Sequence, residues 1–335
     1  MKTILSAIAA CAALALPASA EDVPIRFTLD WKLQGVHAPF YLAEQRGYFA
    51  EEGLDVTIDQ GEGSAATISR IMSGAYDAGF GDMNAIIQNA ATMPEDAPVM
   101  VYQIYNQPPF SVVTKADGPI LSLSDLEGRT IGSPAGSAVT VLFGALAKAA
   151  DIDTDTIEML SVAPNLQEQV LVQGQVDASL VFNVTSYLNL IGLGLNPDED
   201  FRWFPYGASG LDIYSNGVMV SQALHQENPE AVAGLVRAIN RATMEIIADP
   251  AIGAAAVKSV EPLIDEELEA LRLTFAMDNL MFSDETRALG IGAVDMERLA
   301  RSISVIADLY DLPTEPTPEA VFDGAFLPEQ GARSF

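Results

Sequence analysis

Cysteine is nearly missing from this chain. Cys11 is the only one in 335 residues, and it lies inside an apolar N-terminal stretch. Past that stretch no disulfide framework and no thiolate–metal site is possible. Histidine is almost as scarce: His37 and His225 are the only two, which excludes a metal centre built on several imidazoles. Lysine and arginine number 17 against 46 acidic residues, for a net charge of −29. So acidic a surface repels nucleic acid and anionic lipid headgroups, and neither is expected as a partner. Beyond the N-terminus no apolar run is long enough to span a bilayer. A Gly-Lys phosphate loop, a nucleophile elbow and a metal-spaced His/Glu pair are also absent. No motif places a histidine to serve a serine as base. The expectation is therefore a protein with no catalytic residue, no metal and no cofactor.

What remains is a globular composition, 49% hydrophobic and 19% charged, with core enough for two α/β domains. Residues 1–20 read as a secretory signal, with Lys2 at the start, an apolar run from Ile4 to Leu16, and Ala18-Ser19-Ala20 as cleavage site. Cleavage removes Lys2 and leaves 16 basic against 46 acidic residues, a charge of −30. Ile8-Ala9-Ala10-Cys11 faintly resembles a lipoprotein site, but Ala12 to Leu16 continue the apolar run. Simple secretion to the periplasm is the expectation.

The stretch Leu29 to Ala43 organises the rest. Ile25, Phe27 and Leu29 alternate with Arg26 and Thr28, the pattern of a half-buried strand. Pro39 then marks the start of a helix and Gly47 its stop. Trp31 and His37 thus lie on a loop at the carboxyl end of a strand, where open α/β sheets bind small ligands. They fit equally as a sheet-capping core residue and a helix cap.

Further along, Val56 and Ile58 mark a second strand, and Gly61-Glu62-Gly63-Ser64 leads into a helix with Ser64 as N-cap. A strand at Tyr76–Phe80 is followed by Gly81-Asp82-Met83-Asn84 and another helix. Strand, helix, strand with short loops predicts a right-handed parallel βαβ unit, its loops on one sheet edge. Val99–Tyr105 and Phe110–Thr114 read as strands, and the pattern restarts near Leu123. Gly136-Ser137 opens a helix, and strands follow at Met159–Val162 and Ala178–Phe182. Two echoes suggest similar lobes: Gly74-Ala75-Tyr76-Asp77-Ala78 with Gly174-Gln175-Val176-Asp177-Ala178, and Gly63-Ser64 with Gly136-Ser137. Gly210–Tyr214 reads as a strand-like return path. After Asn228 the chain turns helical, at Pro229–Ala248, Pro250–Ser259, Asp265–Met277 and Met296–Leu309, and these helices are expected to buttress the first lobe.

Leu29-Asp30-Trp31 with His37, Phe40-Tyr41-Leu42-Ala43, Gly47-Tyr48-Phe49 and Glu52-Gly53-Leu54-Asp55-Val56 form a pattern. It resembles the opening of substrate-binding proteins of nitrate/sulfonate/taurine-type ABC importers, including the branch similar to the thiamine-pyrimidine precursor synthase. Gly74 with Asp77, and Ser124-Asp125-Leu126-Glu127-Gly128 with Ile131-Gly132, fit the same family. The resemblance implies an α/β, type II periplasmic binding fold of two lobes with a ligand cleft between them. It also implies a monomer that hands its small-molecule ligand to an inner-membrane ABC permease. It sets Trp31 against the ligand and His37 at the cleft wall. Ser64, Asp82 and Asn84 join from the first lobe, Gly136, Ser137 and Asn183 from the second. At Phe182-Asn183 the pyrimidine branch often has an aromatic residue followed by Glu, so Asn183 is a departure. The enzyme branch, which builds its pyrimidine from its own histidine, resembles an intracellular protein with a Cys-rich motif that this chain lacks.

The restart and the helical tail predict lobe one at 21–112 with 213–335 and lobe two at 113–212, with hinge crossings near Thr114 and Leu211. Lys32 is the only basic residue on the proposed site loops, against Glu62, Asp82 and Asp212. A sulfonate or nitrate would call on Arg or Lys. Trp31, with Phe110, Tyr187 and Tyr214 as aromatic partners, suits a planar ring or a cationic group. The expected ligand is a neutral or cationic nitrogen heterocycle of pyrimidine size, ahead of taurine, other sulfonates or nitrate.

Overall fold

The structure, a computed structural model, describes residues 22–335. The expected signal segment, with Cys11, lies outside the described residues. Among the described residues no helix is long and apolar enough to cross a membrane.

Ten strands form two five-stranded sheets. The first holds β1 (Val23–Thr28), β2 (Leu54–Asp59), β3 (Ala78–Asp82), β4 (Val99–Gln103) and, from far along the chain, β10 (Asn216–Val220), in the order β2-β1-β3-β10-β4. The second holds β5 (Phe110–Lys115), β6 (Thr130–Ser133), β7 (Glu158–Ser161), β8 (Ala178–Phe182) and β9 (Phe201–Pro205), in the order β7-β6-β8-β5-β9. Each sheet thus has four strands running one way, three of them paired in parallel, and one strand, β10 or β5, that enters from the other sheet and pairs antiparallel on both sides. Helices connect the parallel strands, as βαβ geometry requires.

The sequence echoes are the same turn made twice. Gly74 and Gly174 both sit in the left-handed region, at φ 72° and 69°, closing a helix. Immediately before the next strand, Asp77 N donates to Arg26 O and Asp177 N to Thr130 O, at 2.9 and 2.8 Å. The carboxylates return the bond: Asp77 Oδ2 accepts from Arg26 N at 2.8 Å and Asp177 Oδ2 from Thr130 N at 3.0 Å. In both lobes a short Asp fastens the third strand to the first.

Two expectations need correction. Thr114 is no crossing point, because it lies within β5 and pairs with Ala178 and Arg202. The first passage between sheets runs through residues 104–109 and the second through 206–215. The strand expected at Gly210–Tyr214 falls instead at Asn216–Val220. That segment is buried throughout, wedged between β3 and β4, so it shows no apolar–polar alternation to read.

The C-terminal helices also do more than buttress one lobe. Pro229–Ala248 and Pro250–Val260, each opened by a capping Asn or Asp and a Pro, pack against the helix Ala38–Gln45 of the first lobe. Glu266–Ala276 and Met296–Tyr310 reach the second lobe as well. Arg272 donates to the carbonyls of Val184 and Thr185, and Lys148 to that of Asp308. Leu299, Ile303 and Ile306 join one apolar cluster with Met83 and Met219 of the first lobe and Phe110, Leu142 and Leu180 of the second.

Arg298 fastens the two passages to each other. Nη2 and Nη1 donate to the carbonyl and the Oδ1 of Asn106, in the first passage, at 2.9 and 3.1 Å. Nε and Nη2 donate to Asp212 Oδ1, in the second, at 3.2 and 2.8 Å, and Nη1 to Glu285 Oε2 at 3.1 Å. All five N–H groups are used, and the guanidinium lies 4.2 Å from the ring centroid of Tyr214. Replacing Arg298 by Ala leaves half-buried Glu285 without its cation. Urea unfolding should show a loss of about 3–5 kcal/mol, whereas Asp212→Ala, at an exposed carboxylate, should cost less than about 1 kcal/mol. Equal and small losses would mean that the clasp carries no stability.

Candidate functional site

The loop after β1 is held by one carboxylate. Asp30 Oδ1 accepts from His37 Nε2 at 2.9 Å, and Oδ2 from Asn216 Nδ2 at 2.7 Å. His37 Nδ1 accepts from the backbone N of Gln34 at 3.1 Å, which assigns the ring proton to Nε2. The carbonyl of Asp30 takes the N–H of Gly63 at 2.7 Å, tying this loop to the start of the helix Ser64–Met72. Gly63 has φ +118°, and a Cβ there would lie 2.3 Å from the carbonyl oxygen of Gly136 in the other lobe. Only glycine permits the lobes to touch at this seam.

A cavity opens between the lobes beside the seam. Asp30, Trp31, Gln34, Val36, His37, Ser64 and Tyr105 line it from the first lobe. Ser137, Gln167, Phe182, Val184 and Thr185 line it from the second. In this closed arrangement it offers about 20 Å³ to the centre of a water-sized sphere, room for roughly one water. Thr185 Oγ1 donates to Gln34 Oε1 across it at 3.1 Å. The hydroxyls of Ser64, Tyr105 and Ser137 and the indole N–H of Trp31 bond to no other described residue, leaving both donors and acceptors for a ligand. Neither Arg nor Lys lines the cavity. Lys32 points out to Glu62, at 3.5 Å. Arg272, the nearest buried cation behind the wall, is fully engaged by Glu269, Val184, Thr185 and Asn189.

Of the residues expected at the site, Trp31, His37, Ser64 and Ser137 meet at this cavity. Gly63, not Ser64, holds the N-cap position, which leaves the Ser64 hydroxyl free. Gly136 forms the seam, and Asn183 lies between two lining residues with its Oδ1 on Val184 N. The others lie elsewhere. Phe110 is fully buried behind Phe182, packed also on Tyr206. Tyr187 faces away along its helix, against Phe275 and Trp203, with its hydroxyl on Asp198. Asp212 and Tyr214 belong to the Arg298 clasp. Asn84 is buried, donating to Asp82 Oδ1 and Tyr214 O at 2.9 and 2.8 Å, and its own Oδ1 has no partner. Asp82 lines a second cavity on the far side of Ser64.

Sequence reasoning missed Asp30, Gln34, Tyr105, Gln167 and Thr185. All of them sit just past the carboxyl end of a strand or at the helix start that follows. The rule applied to Trp31 reaches them when extended to every strand of both sheets.

Comparison with known proteins agrees with the two-lobed architecture. A family model described as NMT1/THI5 like matches residues 34–252. The chain belongs to the NMT1/THI5-like family. Among its relatives, the riboflavin-binding protein RibY of Chloroflexus aurantiacus is 26% identical over 64% of this chain and 59% of its own length. The chain thus spans well under two thirds of RibY. A formylaminopyrimidine-binding protein of Halalkalibacterium halodurans is 27% identical over 87% of this chain and 79% of its own. A 4-amino-5-hydroxymethyl-2-methylpyrimidine phosphate synthase of Aspergillus parasiticus is 26% identical over 72% and 71%. The alkanesulfonate-binding protein SsuA of Xanthomonas axonopodis pv. citri, solved with MOPS bound, superposes with a TM-score of 0.67. It is 15% identical, over 91% of this chain and 99% of its own. The NMT1/THI5-like chain therefore has the two-lobed α/β fold of periplasmic binding proteins.

Burial pushes the Asp82 carboxyl from 3.8 up to about 7, against hydrogen bonds, chiefly from Asn84, that pull it down. A carboxyl whose folded pKa lies above its unfolded one holds its proton more tightly in the fold, so its contribution weakens as pH rises from about 4 to 7. Asp82→Asn should remove that loss. In urea melts the variant should gain on the wild type over this range, by at most about 4 kcal/mol. Parallel stability curves for the two proteins would show that Asp82 stays ionised.

Proposed function

We propose that this protein is an extracytoplasmic receptor that delivers a neutral or cationic nitrogen heterocycle of pyrimidine size to an ABC importer. The observation that carries it is the cavity itself: an aromatic face at Trp31, unpaired hydroxyls from both lobes, one carboxylate and no basic side chain. Stacking and neutral hydrogen bonds suit a flat polar ring. Relatives named for binding riboflavin and formylaminopyrimidine support a heterocycle. The N-terminal residues 1–20 supply the export signal this role needs. Lobe one, built from the first sheet and the chain after Tyr214, and lobe two, residues 107–212, part and close about the two passages.

A sulfonate or nitrate receptor finds no cation in this cavity to answer the ligand's charge. An enzyme on this fold finds no base: both ring nitrogens of His37 are engaged, one by Asp30 and one by Gln34.

A calorimetric screen of pyrimidines, thiamine precursors, taurine, alkanesulfonates and nitrate tests the reading. A heterocycle should bind, and Trp31→Ala should weaken it by about 1–3 kcal/mol, by analogy with base–aromatic stacking. Tight binding of taurine or nitrate, indifferent to Trp31→Ala, sinks the heterocycle. Chemical conversion of the ligand on long incubation sinks the receptor.

A further inference from the structure

The second cavity is the counterpart of the first. Counting five residues on from Asp77 and from Asp177 gives Asp82 and Phe182, the ends of β3 and β8. Phe182 lines the first cavity together with Val184 and Thr185, in the first turn of the helix that follows. Asp82 lines the second together with Ala85, Gln88 and Asn89 of the helix Met83–Thr92. Gly63-Ser64 lies opposite Phe182, and the segment after Gly136-Ser137 lies opposite Asp82. The Gly63–Gly136 seam therefore separates two chambers that the repeated lobes build in the same way. The second offers about 210 Å³ to the centre of a water-sized sphere, against about 20 Å³ in the first.

We propose that this second chamber is a ligand site of its own for a small primary amine, with the ammonium on Asp82 and the carbon chain against Ile68, Val141 and Leu142. Asp82 is the only ionisable group lining it and is 1% exposed. Its hydrogen-bond partners are the side chain and backbone of Asn84, the Ser215 hydroxyl and the Ala85 backbone, and none of them is a cation. The raised pKa of Asp82 has the same origin, a buried carboxylate without a cation. Ser64, Ser69 and the Gln88 amide add neutral polar groups, and no aromatic ring is present to cage a quaternary ammonium. The walls come from both lobes, so an occupied chamber favours the closed form. By linkage it then tightens the first cavity's ligand. This coupling rests on the closure proposed above, whereas the amine site does not.

Propylammonium chloride is the probe, with sodium chloride at equal ionic strength as control. It should raise the melting temperature of the whole protein in a saturable way. It should also lower the dissociation constant of whichever heterocycle the screen identifies by about fivefold, the low end of ordinary coupling. Asp82→Asn keeps a good N-cap residue and should abolish both effects, leaving ring binding without amine unchanged. Ala85→Leu, which fills the chamber without touching the carboxylate, should abolish them too. The amine site is overturned by a sodium-like response to propylammonium, or by an amine effect that survives Asp82→Asn. Loss of ring binding in Asp82→Asn overturns the separation of the two chambers, and Asp82-dependent amine binding that leaves ring affinity unmoved overturns the coupling. If no heterocycle in the screen binds yet the amine response depends on Asp82, the heterocycle reading fails while the amine site stands.

Discussion

A single buried carboxylate sets the geometry of the cleft. Asp30 joins three parts of the chain that are far apart in sequence: His37 on its own loop, Asn216 on the strand that returns from the second lobe, and Gly63 at the seam. Its side chain is 9% exposed and that of His37 is 1% exposed, so neither can turn to water for a replacement partner. Removing the imidazole would leave a buried carboxylate oxygen without its donor, a loss on the order of 1–3 kcal/mol, while replacing both partners by apolar groups need not cost as much. The pair therefore serves position more than stability. With Asp30 fixed, Trp31 has one place to stand, and the helix from Ala38 starts where Pro39 requires.

The same economy governs the passages between the lobes. A two-lobed receptor needs its connecting segments to bend without drifting apart. Arg298 meets that need from outside both segments, clamping Asn106 and Asp212 while resting on Tyr214. Its partners differ in exposure, with the Asp212 side chain 70% exposed and that of Glu285 only 16%. The Glu285 and Asn106 bonds are therefore the strong ones, and the Asp212 bond is screened by water. Arg298 thus holds one passage firmly and the other loosely.

Features set by a few neighbouring residues were legible in the sequence. The echo of Gly74–Ala78 in Gly174–Ala178 and the helices that begin after Asn228 each depend on residues within a turn or on one adjacent strand. The two-lobed fold followed from their repetition and from the family resemblance. The site was legible only in part, because a side chain's chemistry does not say which neighbour will claim it. Tyr214 and Asp212 have the composition of a binding pair, yet an arginine more than 80 residues away engages both. Phe110 and Tyr187 are aromatic and near the cleft in sequence order, but tertiary packing buries one and turns the other outward. Asp30 went unread for the opposite reason: a short acid beside a Trp has many local roles, and only the return of Asn216 decides among them.

The charge of the cleft follows from where the basic residues are spent. This is a chain with 17 Lys and Arg, and those nearest the cleft are occupied: Lys32 by Glu62, Arg272 by Glu269 and three carbonyl or amide oxygens, Arg298 by the hinge. To receive an anion, Arg272 would have to leave bonds it makes while almost wholly buried, and Glu269 would then remain in the interior uncompensated. That cost exceeds what a sulfonate held by neutral hydroxyls could return. Asp30 acts in the same direction, since its carboxylate is the one acidic group lining the cavity. An anion entering would meet repulsion in a space too narrow to dilute it with water, while a neutral or protonated ring would meet an acceptor. That neither Lys nor Arg lines the cavity is thus a consequence of how the lobes are fastened together as much as of the residues that form its wall.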